Sequence, residues 1–146
     1  MKSFRKFLLG RNDFKSADEI VRLINEKVSH GSSEQIEHAE TLLIFQTSRE
    51  QTWLVGTKQR LYCVLDDLNN GFTRVDWILP KEQLVKNGRI DVKVATRTKT
   101  DKTGLLDIGE RRGWLFSKRL FAERDLVERV QDMILRKMIK YPYAST

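Results

Sequence analysis

Few residues in this chain carry a spacing that could do chemistry, and the nearest approach is Asp91-Val92-Lys93 on a strand-like run, downstream of Asp66 and Asp67. Two carboxylates holding Mg²⁺ beside a lysine that stabilises developing charge would serve a metal-dependent nuclease. Charged residues alternating along the wet face of a strand give the same pattern, however, and a nuclease core of that kind needs helices between its strands, which this stretch does not supply. His30 and His38 have no Ser, Cys or Asp arrangement beside them that forms a triad. The single cysteine, Cys63, sits in the apolar alternation Leu61, Cys63, Leu65, where a thiol acts as a small hydrophobe. A disulfide framework is excluded, and a structural zinc site lacks its ligands. The expectation is a non-enzymatic protein without metal or cofactor.

Charge points to binding instead. The 146 residues carry a formal net charge of +7, which favours anionic partners. Residues 1–15 hold five Lys/Arg against one acid, residues 16–110 hold 13 against 15, and residues 111–146 hold nine against four. The excess therefore lies at the two ends. At the first of them Lys2, Arg5, Lys6 and Arg11 interleave with Phe4, Phe7, Leu8 and Leu9, a pattern that suits an anchor lying on an anionic membrane surface. The apolar run Phe7-Leu8-Leu9 is too short for a signal peptide, and no window approaches the ~18 apolar residues of a membrane span. These features predict a cytoplasmic protein, peripheral at the membrane if the anchor is used.

The elements that must position any site divide the chain into three parts. Residues 1–40 form a basic segment and an accessory helix. Ser16-Ala17-Asp18-Glu19 fits a capping box, and Ile20, Val21, Leu23, Ile24 and Val28 share one face of a helix over Ala17–Val28. Residues 41–140 then read as seven short strands and a closing helix. Leu42-Leu43-Ile44-Phe45 is apolar at every position, which predicts burial on both faces, the second under the N-terminal helix. Asp66 to Gly71 is the strongest loop signal. Val75, Trp77 and Leu79 alternate on the fourth strand before Pro80, residues 81–88 are a polar connection, and Ile90, Val92 and Val94 face inward on the fifth. Leu120, Leu126, Val127, Val130, Met133, Ile134 and Met138 predict a helix over 120–140. Residues 141–146 are a tail.

This order of elements resembles the pleckstrin-homology (PH) architecture, a seven-stranded barrel closed by a C-terminal α-helix, here preceded by an N-terminal helix. Val55-Gly56-Thr57-Lys58-Gln59-Arg60-Leu61-Tyr62 is similar to the hydrophobic–x–Thr–x–x–Arg–Leu turn of bacterial PH-like and GRAM-like domains, where it joins the second and third strands. Trp77 to Val85 is similar to the segment those families place at the fourth strand and its exit, and the YokE-like type matches best over about residues 40–138. Gly56 departs from the family pattern, which has a strand former there. The resemblance implies a binding module.

Three partner classes follow from that implication. Phosphoinositide-binding PH domains use basic residues on the first hairpin, where this chain offers only Arg49 beside Glu50, with Asp66 and Asp67 in a neighbouring loop to repel phosphate. Arg111 and Arg112 are the other basic pair expected at that end, so Arg49, Arg111 and Arg112 are the candidate ligand-binding residues. A protein partner could instead use an exposed strand edge or the flank of the closing helix, with Arg124, Arg129, Arg136, Lys137 and Lys140 as contacts. Nucleic acid is the third class, but it would need Trp53, Trp77 or Trp114 exposed, and all three lie in apolar patterns that predict core positions.

Overall fold

A computed structural model describes residues 13–28, 39–97 and 102–139. Helix α1 spans Ala17–Val28. Its start is the capping box: the Ser16 N–H donates to Glu19 Oε1 at 3.1 Å and the Glu19 N–H donates to Ser16 Oγ at 3.3 Å. The strands are β1 (Glu40–Gln46), β2 (Glu50–Gly56), β3 (Arg60–Asp67), β4 (Phe72–Pro80), β5 (Val85–Lys86), β6 (Arg89–Ile90), β7 (Val92–Arg97), β8 (Thr103–Ile108) and β9 (Arg111–Ser117), and α2 is Glu123–Ile134. They form three antiparallel sheets in the orders β1-β2-β3-β4, β5-β6 and β7-β8-β9. The fold is mainly β with a C-terminal helix, and the ladders do not run round into the closed seven-stranded barrel expected from the sequence.

One of the nine strands, β5, arises where a plain connection is expected, and β6 and β7 divide the expected fifth strand. Residues 81–88 contain a 3₁₀ turn, Lys81–Gln83, and β5, which pairs with β6. The expected fifth strand is accordingly cut at Asp91, whose N–H donates to Leu84 O and whose carbonyl accepts from Gly109 N, both at 2.8 Å. A side chain at Gly109 would put its Cβ 2.2 Å from Gln83 O, so only glycine lets the β8–β9 turn close on this segment.

The main core lies between the four-stranded sheet, the three-stranded sheet and α2. It gathers Leu54, Leu61, Cys63, Trp77 and Leu79 from the first, Val92, Leu106, Ile108 and Phe116 from the second, and Leu126, Val130, Met133 and Ile134 from the helix. Burial pushes the Cys63 thiol pKa well above its ordinary value. A second cluster covers the other face of the large sheet, where Ile20 and Ile24 of α1 meet Val55, Tyr62 and Val64.

Bulges reassign several apolar residues. The β3–β4 register slips between Cys63 and Val64, pairing them with Trp77 and Val75 and leaving Asp76 as the extra residue. Val75 is thereby turned away from Trp77 and Leu79 and packs in the α1 cluster. A shift between Leu43 and Phe45 in β1 likewise lets Leu42, Ile44 and Phe45 all meet the main core. The second face of β1 is thus not the seat of α1, which lies over residues of β2, β3 and β4 instead.

The closing helix is shorter than its apolar stripe. Leu120 and Phe121 amides donate to Ser117 O in a turn, Ala122 caps α2 with no side-chain hydrogen bond, and Leu135–Ile139 continues as a π-helical turn. Among the described residues no helix is long and apolar enough to cross a membrane.

Candidate functional site

α2 is flanked by two grooves, one against each sheet. On the first side it faces β1, and a cavity of about 630 Å³ is lined by Glu40, Thr41, Leu42, Asp125, Glu128, Arg129, Asp132, Met133 and Arg136. Its charges largely satisfy one another: Arg136 pairs with Glu40 across the groove, Arg124 with Glu128 at 3.1 Å, and Arg129 lies over the Phe121 ring. On the second side α2 faces β7, and a groove of about 480 Å³ is lined by Val92, Lys93, Val94, Glu123, Arg124, Val127, Glu128 and Gln131. Here Val92, Val94 and Val127 form an apolar floor between charged walls. Among the described residues β7 is paired only with β8, so its other edge carries backbone donors and acceptors without a strand partner. An unpaired edge beside an apolar slot can accept an extended chain, the backbone giving hydrogen bonds and alternate side chains filling the slot.

The candidate ligand-binding arginines have structural partners. Arg49 Nε donates to Asn69 Oδ1 at 3.0 Å and Nη2 to Leu68 O at 3.1 Å, while Leu68 N–H donates to Arg49 O, so this side chain clamps the β1–β2 and β3–β4 turns together. Arg112 Nη1 donates to Asp107 Oδ2 at 3.3 Å and its Nη2 lies 3.9 Å from Asp91 Oδ2. Arg111 places its guanidinium 5.9 Å from the centroid of the Trp77 ring. Lys2, Phe4, Arg5, Lys6, Phe7 and Arg11 lie outside the described residues, as do His30, His38 and Lys140.

Two aspartates missed as structural groups are central here. Asp107 is nearly buried, with Oδ1 accepting from Gly113 N at 2.8 Å and Oδ2 from Arg112. The acid inside the apolar run Leu105-Leu106-Asp107-Ile108, ahead of Arg111-Arg112-Gly113, is the signal that could have found it. Asp66 is 1% exposed and accepts from the Lys15 N–H at 2.7 Å and from Thr73 Oγ1 at 2.9 Å. It tethers the start of α1 to the sheet rather than lying open in a loop to repel phosphate. Desolvation pushes the Asp67 carboxyl up, but the bonds from the side-chain and backbone amides of Asn70, with the Asn69 amide and the Arg49 charge, together hold it below the usual range.

The arrangement needed for metal-dependent cleavage is not assembled around Asp91. Its neighbours are Arg112 and, through the Lys93–Asp107 register pair, Asp107, whereas Asp66 belongs to the α1 tether on another sheet. Among the described residues no group of three or more His, Cys, Asp or Glu could hold a metal ion. The tryptophans offer little stacking surface. Trp77 is buried and meets Trp114 edge-to-face at 5.9 Å, and Trp53 packs in the α1 cluster. Comparison of the chain with protein-family models, with curated proteins and with solved structures finds no match.

Proposed function

We propose that this chain is a non-catalytic binding module of PH-like architecture that takes an extended segment of a protein partner along β7. The four-stranded and three-stranded antiparallel sheets with a C-terminal helix packed against both support that architecture. The observation that carries the function is the β7 edge beside the Val92, Val94 and Val127 floor. A partner strand with apolar residues at alternate positions would add to β7 while its side chains fill the slot against α2. The experiment is selection of random peptides on the immobilised full chain, followed by mapping of an enriched peptide through backbone amide shifts, which this reading expects to change in β7 and α2.

The charge distribution favours a second partner class, an anionic membrane surface met by Lys2, Arg5, Lys6 and Arg11 with Phe4 and Phe7. Vesicle sedimentation with and without residues 1–12 tests it. Equal sedimentation of the two forms would remove the anchor.

A further inference from the structure

We infer a second contact site, which rests on the membrane reading above, at the β5–β6 hairpin: it grips a phosphate group of an anionic lipid headgroup. Lys86 and Arg89 are direct register partners across the Asn87-Gly88 turn, whose φ angles of 54° and 76° fit a type I′ reversal. Direct cross-strand partners put their Cβ atoms about 5 Å apart on one face, and like charges so placed destabilise a hairpin. Neither side chain has a hydrogen bond, ion pair or ring contact among the described residues, whereas Arg49, Arg112 and Arg136 each hold one. Two opposed cations without a counter-charge favour an external anion as the missing partner.

The surroundings select its kind. Lys86, Asn87, Arg89, Ile90 and Asp91 line a cavity of about 440 Å³. The arginine fork and the lysine ammonium supply donors suited to phosphate oxygens. Asp91 on the inner wall is offset by Arg112 at 3.9 Å, so the two hairpin cations set the sign of the site. The hairpin base is fixed by the Asp91–Leu84 and Gly109–Asp91 hydrogen bonds, and the tip is exposed, with no atom within 4 Å of where a Gly88 Cβ would stand. One projecting point with two cations fits the plane of a headgroup layer. A nucleic-acid backbone would need cations spread along several phosphates.

The test compares the full chain, Lys86→Gln/Arg89→Gln, and the equally charged control Arg22→Gln/Arg119→Gln on phosphatidylcholine vesicles with and without phosphatidylserine. The hairpin pair should lose about 25-fold in affinity for the acidic vesicles, roughly fivefold per cation, and the control should keep most of its binding. Equal losses in the two variants, undiminished binding by the hairpin variant, or no vesicle binding by the full chain would each overturn the site. So would binding of inorganic phosphate or single-stranded DNA, lost in the hairpin variant, without any binding of vesicles. Lys86→Glu provides a stability readout: opposite charges should raise the thermal midpoint while weakening vesicle binding about as much as the double variant does, and a lower midpoint would contradict the opposed-charge premise.

Discussion

Gly56 at the end of β2 lies directly under Met133 of α2: a Cβ on Gly56 would stand 2.7 Å from the Met133 Sδ and 3.0 Å from its Cγ. The missing side chain is what lets the closing helix seat its buried methionine on the sheet. Gly56→Val should therefore destabilise the protein by about 1–3 kcal/mol through overpacking. The cost should shrink in a Met133→Ala background, a coupling that a double-mutant cycle in urea would measure. Additive effects would show that the helix is seated elsewhere.

Helix α1 depends on two carboxylates near its start. Asp66→Ala leaves the Lys15 N–H and the Thr73 hydroxyl without their buried acceptor and should cost about 1–3 kcal/mol. Amide exchange should accelerate across α1 more than across β8. Glu19 is the exposed partner of the capping box, and the Ser16 amide and hydroxyl hold its carboxyl below the ordinary glutamate range. A depressed folded value means its contribution is complete above the unfolded value and is lost as pH falls through the lower folded one. Helix α1 should thus fray first in an acid titration followed by amide exchange, and Ser16→Ala should bring that fraying to higher pH.

Asp107 ties the β8–β9 turn through Gly113 and Arg112. Asp107→Ala should cost about 0.5–1.5 kcal/mol because it removes the bond to the Gly113 N–H. Asp107→Asn can keep that bond and should cost less. Urea unfolding of the two variants checks the order, and equal stabilities would mean that the carboxylate is dispensable to the turn.

The legible parts of this fold are those governed by local chemistry. The capping box at Ser16 and Glu19 and the inward Val92 and Val94 depend on residues close in sequence, and the structure realises both; the loop read over Asp66 to Gly71 is a turn only at 68–71, with Asp66 and Asp67 still in β3. Strand facing failed where one inserted residue changes the period. Nothing in Val75-Asp76-Trp77 announces a bulge at Asp76, yet that residue sends Val75 and Trp77 to opposite clusters. The use of charged groups failed for a different reason. Arg49, Arg112, Asp66 and Asp107 take partners 5 to 51 positions away in sequence, and only the folded sheets bring those together. The β7 groove was readable only as a class of site, an edge or a helix flank, because its floor joins Val92 and Val94 to Val127.

Backbone amide exchange of β7 in the presence of a library-selected peptide tests the binding surface most directly. The account predicts slowed exchange at Val92, Lys93 and Val94, with Val127 and Gln131 shifting alongside, as an added strand takes the free edge. Protection confined to the β1 side of α2 or to another sheet, with β7 exchanging as in the free protein, would contradict it.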